Sequence, residues 1–566
     1  MLRQGLTDEM ADKYFLKLYR NAVESPSDLC FELRKNSGLV DYYSHAEFLS
    51  RIEAAAACLS AKGLGRGQIV LIFAQHGIGM LSAFFGAQLL GAIPSFMPPP
   101  TAKQSLDAWR ANHTALIDRI TPALLVAEPD CLDAAEALSE IPVLSTSELE
   151  ISRQEQALRP VADIDDVAFL QHSSGTTGLK KGVTVTYRQL LEQVDIYRGE
   201  LGLVPGNATI VSWLPLYHDM GLIAATLMPF TLGVPVRAID TMSWLADPVS
   251  FIDLLADSPN AYAWMPDFAF RYLAKRVKPP QSPGALAGVR AITNCSEPCK
   301  AESMEAFIQR FAPAGLPRES VRVCYAMAEY VFAVTQTSPG ESFAELIVDR
   351  DAYETNRRVL PLSEANTPSG KRIVSVGKPI ARTEVRIEEG LEEGAIGEIQ
   401  VRGPSLCSGY FKNPDLTRER FVDGWYRTGD LGFLHAGELY VSGRKDDMII
   451  VRGRNLYAHD MEQAILAVRG LKPGRAVAFG VDNLRFSSQD VVIAAEVEGE
   501  PDLAHVEAQI RDVIMGGFNI SPIEILLLPL NTMSKTTSGK ISRSENLRKF
   551  EDGSLQRAAR GEHGQQ

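Results

Sequence analysis

The chain has 566 residues, of which 45% are hydrophobic and 22% are charged. This length exceeds what one hydrophobic core supports, so we expect two or more domains. Acidic residues outnumber basic ones by 70 to 57, and the formal net charge of −13 argues against a nucleic-acid-binding protein, since such proteins present basic surfaces. The first residues contain no apolar stretch, which predicts no secretory signal and a cytoplasmic protein.

The first third of the chain alternates between helical and strand patterns. Residues 46–61 show the spacing of apolar positions that is typical of a helix, whereas residues 69–73 and 123–127 are short apolar runs typical of buried strands. This alternation predicts an α/β fold in which helices are layered on a mostly parallel sheet.

One apolar segment needs its own interpretation. Residues 75–102 contain no Asp, Glu, Lys or Arg, but their most apolar part, residues 81–93, is shorter than the roughly 20 residues that a membrane-spanning helix needs. It also contains Ser82 and Gln88. We therefore predict a buried helix followed by a strand, and no membrane span.

Residues 171–183 form the most informative segment, Gln-His-Ser-Ser-Gly-Thr-Thr-Gly-Leu-Lys-Lys-Gly-Val, which directly follows an apolar run. Glycines allow close approach, and clustered backbone N–H groups, hydroxyls and lysines suit a phosphate. The residue after Lys181 is Gly182, so the segment differs from the usual nucleotide P-loop, which needs Ser or Thr there. Taken alone, a flexible surface loop is the alternative interpretation.

The pattern changes near residue 340. Strand-like runs at residues 209–214 and 288–293 continue the α/β alternation, but residues 341–371 are polar and poor in helical pattern. Short strands separated by glycines then follow, which predicts a small β-barrel or sandwich element. A second loop rich in Gly, Ser, Thr and Lys occupies residues 534–543.

Cys295 and Cys299 are the only cysteines close enough in sequence to suggest a metal site. No second Cys or His pair lies near them in the sequence, so we expect buried thiols and no zinc site.

Six segments, in a fixed order, resemble motifs of the ANL adenylate-forming enzymes, a family that includes acyl-CoA synthetases, adenylation domains of nonribosomal peptide synthetases and luciferases. They are residues 174–182, 215–221, 325–329, 426–430, 443–446 and 535–540. Residues 212–223, 294–298 and 452–457 are most similar to the fatty acyl-AMP ligase branch, as is an insertion at about 341–373. Lys180 stands where proline is commoner, and Ala326 where glycine is usual.

This resemblance implies a domain organisation. We expect a large N-terminal AMP-binding domain over residues 1–443, built from two layered α/β subdomains and a small β-barrel. A hinge over residues 444–447, with Asp446 as its pivot, then leads to a small mobile α+β domain over residues 448–566.

The resemblance also implies a reaction. A fatty or related carboxylic acid reacts with ATP to give acyl-AMP and pyrophosphate, and the acyl group then passes to the phosphopantetheine thiol of an acyl carrier protein. Such enzymes serve polyketide, nonribosomal peptide or lipid pathways. Protein groups contribute charge neutralisation and alignment to such a phosphoryl reaction.

Site residues carry over from the matching motifs. The β- and γ-phosphates are assigned to Ser174, Gly175, Thr176, Thr177, Gly178 and Lys181. Adenine is assigned to Asn294, Cys295, Ser296, Tyr325, Ala326 and Met327, and the ribose to Asp430 and Arg444. Mg²⁺ is assigned to Glu329 and a loop threonine, Thr176 or Thr177, because this ion prefers hard oxygen ligands.

Two residues are assigned catalytic roles. Lys540 matches the lysine that bridges the attacking carboxylate and the α-phosphate, where a compact positive charge stabilises developing negative charge. His218 matches a position near the carboxylate end of the acyl pocket, and a purely structural histidine is equally compatible with the pattern.

Two alternatives remain. The acceptor thiol is that of a carrier protein or of CoA, and Asn455, which stands where many CoA ligases have an arginine, favours the carrier protein. A non-catalytic nucleotide-binding relative is the other class, and the complete set of Lys540, Glu329 and Asp430 argues against it.

Overall fold

The computed structural model describes residues 10–35, 39–73, 77–100, 106–150, 160–173, 181–363, 370–388, 394–483, 488–535 and 541–555. Its elements confirm an α/β architecture with several sheets. Among the described residues, no helix combines the length and the apolar character needed to cross a bilayer.

The described part of the first 340 residues contains fourteen strands. They are β1 (Leu29–Arg34), β2 (Val40–Ser44), β3 (Ile69–Phe73), β4 (Ile93–Met97), β5 (Leu124–Ala127), β6 (Val143–Ser145), β7 (Val167–Ser173), β8 (Lys181–Thr186), β9 (Thr209–Ser212), β10 (Val236–Ile239), β11 (Ala261–Met265), β12 (Val289–Asn294), β13 (Val321–Ala326) and β14 (Ala333–Gln336).

Eleven α-helices alternate with these strands in the same described residues. They are α1 (Met10–Glu24), α2 (His45–Ala61), α3 (Ile78–Leu89), α4 (Leu106–Ile120), α5 (Leu132–Glu136), α6 (Tyr187–Leu201), α7 (Met228–Leu232), α8 (Thr241–Ala246), α9 (Val249–Ala256), α10 (Asp267–Arg276) and α11 (Ala301–Phe311). A π-helical segment, Met220–Leu227, precedes α7.

Residues after 340 form smaller units. Their strands are β15 (Glu345–Asp349), β16 (Gly370–Val374), β17 (Lys378–Pro379), β18 (Glu384–Ile387), β19 (Gly397–Arg402), β20 (Phe421–Val422), β21 (Trp425–His435), β22 (Glu438–Arg444), β23 (Met448–Val451), β24 (Arg454–Tyr457), β25 (Leu471–Asn483), β26 (Ser488–Val497) and β27 (Glu524–Leu528). Their helices are α12 (Arg350–Asn356), α13 (Pro414–Arg420), α14 (Ala458–Ala464), α15 (Leu503–Phe518) and α16 (Arg543–Glu551).

Two sheets dominate the large N-terminal part. A nine-stranded sheet has the order β17-β14-β13-β12-β11-β9-β10-β1-β2, and a four-stranded sheet has the order β4-β3-β5-β6. The central strands β13, β12, β11, β9, β10 and β1 run parallel, while β2, β14 and β17 pair antiparallel at the edges. Because parallel strands end at one edge, loops that follow β12 and β13 meet there.

Local sequence explains where two key helices begin. α2 starts at a capping box in which Ser44 and Glu47 satisfy each other's backbone N–H groups. α6 starts at the same arrangement between Thr186 and Gln189 and ends at Gly202, whose φ of 66° is easily adopted by glycine. α6 therefore begins directly after β8, the strand that leaves the glycine-rich loop.

The apolar segment that follows residue 75 is a buried helix and a strand, as predicted. Helix α3 is apolar on all faces and every residue from Met80 to Leu89 is buried, with Phe85 stacked on Phe230 at a centroid distance of 3.9 Å. Strand β4 follows it in the four-stranded sheet. Burial on all sides explains why the sequence lacks charges here.

Three sequence expectations need refinement. The strand predicted over 209–214 ends at Ser212, and the strand before the glycine-rich loop pairs antiparallel with β8 as a hairpin. The 341–373 insertion is not irregular over its described part. It forms β15, α12 and β16, with β15 and β16 paired antiparallel over five residue pairs, since Leu346, Val348 and Ile373 have a core to pack against.

The predicted barrel element is a five-stranded antiparallel sheet formed by β18, β19, β21, β20 and β22. Beyond it, the buried hydrophobic residues from Ile449 onward, apart from Tyr457, pack into two clusters of their own, on either side of the β25-β26-β27 sheet.

Candidate active site

The predicted adenine-binding residues meet at the carboxyl ends of β12 and β13. These strands are parallel neighbours, with Asn294 opposite Val323. Asn294 and Cys295 are fully buried, whereas Ser296 is exposed and has a φ of 70°. Tyr325, Ala326 and Met327 are half-buried at the end of β13. The strand topology therefore brings two segments about thirty residues apart in sequence to one edge of the sheet.

Asp267 holds the Asn294 loop in place. Its carboxylate accepts hydrogen bonds from Asn294 Nδ2 at 2.9 Å, the Lys300 backbone N–H at 2.9 Å and Ser303 Oγ at 2.8 Å. Burial raises the pKa of Asp267, and these donors partly oppose that effect. Within the described part of the chain, Asn294 Oδ1 has no donor, so this buried acceptor can receive a hydrogen bond from a bound group.

The predicted ribose residues lie against the adenine residues. Tyr325 donates its hydroxyl to Asp430 Oδ2 at 2.5 Å, and Arg444 Nε lies 3.5 Å from Asp430 Oδ1. Asp430 and Arg444 are opposite each other in the β21–β22 pair. Burial raises the pKa of Asp430. The positive charge of Arg444 and the hydrogen bond from Tyr325 lower it, but by less than burial raises it. A bound sugar would compete with Tyr325 for this carboxylate.

Glu329 projects from a strained turn directly after β13. A 3-10 turn spans Ala328–Tyr330, and the Phe332 N–H then donates to the Tyr330 carbonyl at 2.7 Å. This closes a γ-turn around Val331, which has a φ of 61°. Positive φ is rare for a β-branched residue, and such strain often accompanies functional sites.

A tyrosine from the barrel part holds the Glu329 carboxylate. Tyr410 donates its hydroxyl to Glu329 Oε1 at 2.8 Å, and the Tyr426 hydroxyl lies 3.1 Å from that of Tyr410. Tyr410 also pairs with Val183 in an antiparallel bridge, and the Lys181 ammonium lies 5.7 Å from the centre of its ring. One side chain thus connects Glu329 with the strand that leaves the glycine-rich loop.

The glycine-rich loop lies between β7 and β8. Its predicted phosphate ligands Ser174, Gly175, Thr176, Thr177 and Gly178 fall outside the described residues. Lys181, the first residue of β8, is half-buried beside Glu329 and Arg420. Burial is the main effect that lowers the pKa of Lys181, and the charge of Arg420 adds to it, while Glu329 opposes both.

His218 stands at the entry to the π-helical segment Met220–Leu227. Its backbone N–H donates to the Pro215 carbonyl at 3.3 Å, and its ring lies 5.0 Å from that of Tyr217. At Gly221, an added Cβ would lie 2.3 Å from the Pro215 oxygen, so this turn requires glycine. π-helical segments often occur at functional sites.

Two predicted residues remain, Asp446 of the hinge and Lys540 of the small domain. Lys540 is not among the described residues. Asp446 is exposed within the 3-10 turn Lys445–Asp447. Its neighbour Asp447 forms an ion pair with Arg543, in which Oδ1 lies 2.6 Å from Nη1.

The insertion contacts the small C-terminal part through buried and partly buried charges. Glu354 of α12 is 3% exposed and pairs with Arg454 at 2.7 Å, while Lys371 of β16 pairs with Asp460 at 2.6 Å. Asn455 donates its amide to the Glu354 carbonyl at 3.1 Å. Asn455, which stands where many CoA ligases have an arginine, therefore forms a hydrogen bond with the insertion.

Sequence reasoning missed Tyr410 and Asp267. Tyr410 follows Gly409 in a loop with no distinctive spacing, and Asp267 begins an ordinary helix. Neither gives a local signal, because each acts on a residue at least 27 positions away.

Comparisons with known proteins identify the family of this chain. The model of the AMP-binding enzyme family matches residues 19–411. A medium-chain-fatty-acid–[acyl-carrier-protein] ligase, JamA of Moorena producens, is 26% identical over 95% of this chain and 94% of its own. The probable long-chain-fatty-acid–AMP ligase FadD30 of Mycobacterium tuberculosis is 28% identical over 95% of this chain and 98% of its own.

Among solved structures, a fatty acyl-adenylate ligase from a study of the E. coli and L. pneumophila enzymes superposes with a TM-score of 0.85. It is 25% identical and the match covers 97% of this chain and 99% of that one. The family model spans more than two thirds of the chain, and the sheet edge that it covers carries the Asn294, Tyr325 and Glu329 cluster. This chain is therefore a ligase of the AMP-binding, adenylate-forming enzyme family.

Proposed function

We propose that this enzyme joins a fatty acid to AMP and then loads the acyl group onto an acyl carrier protein in the cytoplasm. The observation that carries the proposal is the convergence of Asn294, Tyr325, Asp430 and Glu329 at one sheet edge. The two relatives and the solved structure reported above bear names of the same reaction class.

The nucleotide would lie across this edge. Tyr325 offers a flat ring for the adenine, Asn294 Oδ1 a buried acceptor for its amino group, and Asp430 two acceptor oxygens for the ribose hydroxyls. The positive charge of Arg444, 3.5 Å from Asp430, favours the ionised carboxylate and opposes the effect of burial on its pKa. Placing the sugar on Asp430 requires the Tyr325 hydroxyl to give up its present hydrogen bond.

In the first step, a carboxylate oxygen of the acid attacks the α-phosphorus of ATP, and pyrophosphate leaves. The residues that we assign to the leaving phosphates are Ser174, Gly175, Thr176, Thr177, Gly178 and Lys181. Lys540, on the small domain, would contact both the carboxylate and the α-phosphate as charge builds up. In the second step, a thiol attacks the acyl carbon, giving a thioester and releasing AMP.

Glu329 fits a magnesium ligand. Its carboxylate supplies hard oxygens, and within the described residues Tyr410 is its only side-chain donor, which leaves the second oxygen for an ion. Mg²⁺ held there and by Thr176 or Thr177 would neutralise phosphate charge.

A two-part organisation supports the second step. We assign residues 1–443 to the large domain, 444–447 to a hinge with Asp446, and 448–566 to the small domain. The separate buried clusters beyond Ile449 suit a body that moves as a unit. The Asn455 bond to the insertion favours a carrier protein over CoA as the acceptor.

The test supplies ATP, Mg²⁺ and a fatty acid, and then offers CoA or holo acyl carrier protein in parallel. We expect pyrophosphate release and acylation of the carrier protein, measured by mass spectrometry. Fast formation of acyl-CoA with an unmodified carrier protein would contradict the proposed acceptor. Lys540→Ala should still bind ATP but lose pyrophosphate release by at least about 100-fold, since it removes a charge that acts in the transition state.

A further inference from the structure

Asp267 and Asn294 lie side by side because two parallel strands end together. β11 ends at Met265, which is opposite Asn294, the last residue of its parallel neighbour β12. Helix α10 begins at Asp267, just beyond the end of β11. The start of this helix is therefore next to the loop that we assign to adenine, although the two side chains are 27 positions apart in the sequence.

The carboxylate of Asp267 fixes one orientation of the Asn294 amide. An asparagine side chain carries a donor, Nδ2, and an acceptor, Oδ1, and can present either of them to a ligand. Asn294 Nδ2 donates to Asp267 Oδ1 at 2.9 Å, and an ionised carboxylate can only accept. Turning the amide over would bring two acceptor oxygens together, so Asn294 Oδ1 is held pointing away from Asp267.

Asp267 is itself held from the other side by a second helix. The Lys300 backbone N–H donates to the same carboxylate oxygen at 2.9 Å, and Ser303 Oγ donates to the other oxygen at 2.8 Å. Lys300 precedes α11 and Ser303 lies in its first turn. Asp267 is 6% exposed and Asn294 is fully buried, so water competes little with these hydrogen bonds.

The oxygen of Asn294 that points away from Asp267 is an acceptor without a donor. Within the described part of the chain, Asn294 Oδ1 receives no hydrogen bond, and a buried acceptor in this state favours a ligand that donates to it. Adenine offers such a donor, its 6-amino group. Hypoxanthine and guanine carry a carbonyl oxygen at the same position, which would face Oδ1 as a second acceptor.

We propose that Asp267 is a positioning residue that sets the base selectivity of the enzyme. By holding Asn294 Oδ1 towards the ligand, it makes the site accept a purine with a hydrogen-bond donor at position 6 and reject one with an acceptor there. This inference rests on the proposed function, which places the adenine amino group at Asn294. Sites that hydrogen-bond a substrate group discriminate strongly against analogues that lack it, because a buried polar group is then left unpaired.

The test measures pyrophosphate release by the full-length enzyme with a fatty acid, Mg²⁺ and either ATP or ITP, whose base is hypoxanthine. We expect the unchanged enzyme to favour ATP in kcat/KM by at least about 100-fold. In Asp267→Ala, a water molecule beside Asn294 can donate or accept, so the amide is free to turn Nδ2 towards the base. The preference for ATP should therefore fall at least about tenfold, mainly through KM, since the base is remote from the reacting phosphorus.

Three further variants separate the orientation of the amide from the packing around it. Ser303→Ala removes a hydrogen bond to the same carboxylate but leaves the bond to Asn294, so it should keep the preference for ATP. Asp267→Asn retains an acceptor oxygen for Asn294 and can donate to the Ser303 hydroxyl, so it should restore the preference. Asp267→Ser, whose hydroxyl can donate or accept, should lose the preference as Asp267→Ala does and replaces that variant if it does not fold.

A double-mutant cycle tests whether Asp267 acts through Asn294. Asn294→Ala should by itself lower the preference for ATP, and adding Asp267→Ala should change that preference no further. A role of Asp267 in folding alone would instead lower kcat/KM for ATP and for ITP by the same factor in both backgrounds, and this result would overturn the inference.

Pyrophosphate release precedes the transfer to any thiol, so the result is independent of the acceptor. If the unchanged enzyme forms acyl-AMP but loads no carrier protein, the proposed acceptor is wrong, while a preference for ATP that depends on Asp267 still supports this inference. The inference is overturned if the unchanged enzyme uses ATP and ITP equally well. It is also overturned if Asp267→Ala and Ser303→Ala show the same preference for ATP.

Discussion

At the scale of single residues, the site depends on side chains that reach it from distant parts of the sequence. Glu329 is held by Tyr410, 81 positions later, and Asp430 by Tyr325, 105 positions earlier. Desolvation raises the pKa values of both tyrosines well above the usual range, so they remain neutral donors at any working pH. Each carboxylate is therefore oriented by a hydroxyl that does not ionise.

Tyr410→Phe should weaken magnesium-dependent ATP binding. The substitution removes one hydrogen bond to a charged group, which contributes about 1.5–3 kcal/mol, so we expect affinity to fall by roughly tenfold or more. ATP binding in EDTA should change little, because the ring that contacts Lys181 remains. Calorimetric titration with and without Mg²⁺ measures both.

Tyr330→Phe is the control for this prediction. Tyr330 is the next residue along the chain from Glu329, but its hydroxyl forms a hydrogen bond with the Thr383 hydroxyl, at 2.8 Å. The control should keep magnesium-dependent binding. Equal titration curves for Tyr410→Phe and Tyr330→Phe would contradict the role of Tyr410.

At the scale of elements, the insertion acts as a platform for the small C-terminal part. Helix α12 and strand β16 present Glu354 and Lys371 to Arg454 and Asp460. The Lys371 ammonium also lies 4.8 Å from the centre of the Tyr353 ring. Removing one member of such a buried set leaves an uncompensated charge, which costs more than the pair itself contributes.

Glu354→Gln should therefore lower stability by about 3 kcal/mol. Glu384→Gln is a matched control, because Glu384 pairs with Arg402 at 2.6 Å but both side chains are exposed, 59% and 45%, and exposed pairs contribute about 0–1 kcal/mol. Urea unfolding followed by circular dichroism compares the two midpoints. Indistinguishable midpoints would show that the buried pair does not support the interface.

At the scale of the whole molecule, the buried clusters divide near the predicted hinge. The residues beyond Ile449 have two clusters of their own, and among the described residues of this part only Tyr457 joins a buried cluster of the preceding part. Arg543 forms ion pairs with Asp447, which adjoins Asp446 in the predicted hinge, and with Glu462, each at an N–O distance of 2.6 Å. The small part is thus fixed to the hinge through its own residues.

A fragment of residues 1–443 should fold without the remainder. Its main core, in the nine-stranded sheet, contains no residue beyond position 443, so we expect cooperative thermal unfolding, at a somewhat lower temperature than the full chain because Glu354 and Lys371 lose their partners. It should bind ATP but release no pyrophosphate, since Lys540 is absent. Calorimetry and a pyrophosphate assay check this. A fragment that is unfolded at 25 °C would contradict the domain boundary.

The sequence alone determined the fold class and the family, and it predicted the nucleotide-binding residues that the structure brings together at one sheet edge. Strands such as Ile69–Phe73 are recognisable because a short run of apolar residues is a local property of the sequence. The motif predicts a glycine at position 221, and the structure supplies the reason. A Cβ added at Gly221 would lie 2.3 Å from the Pro215 carbonyl oxygen.

Only the tertiary structure revealed the Tyr410–Glu329 bond, the Asp267 cluster, and the strands and helix in the described part of the insertion. Each of these joins segments that are tens of residues apart or more, and a contact between such segments has no periodicity in the chain. The insertion looked irregular because its few apolar residues, such as Val348 and Tyr353, pack against strands from elsewhere. The sequence determines which chemical groups are present in each motif, whereas the packing of the sheets determines which side chains contact one another.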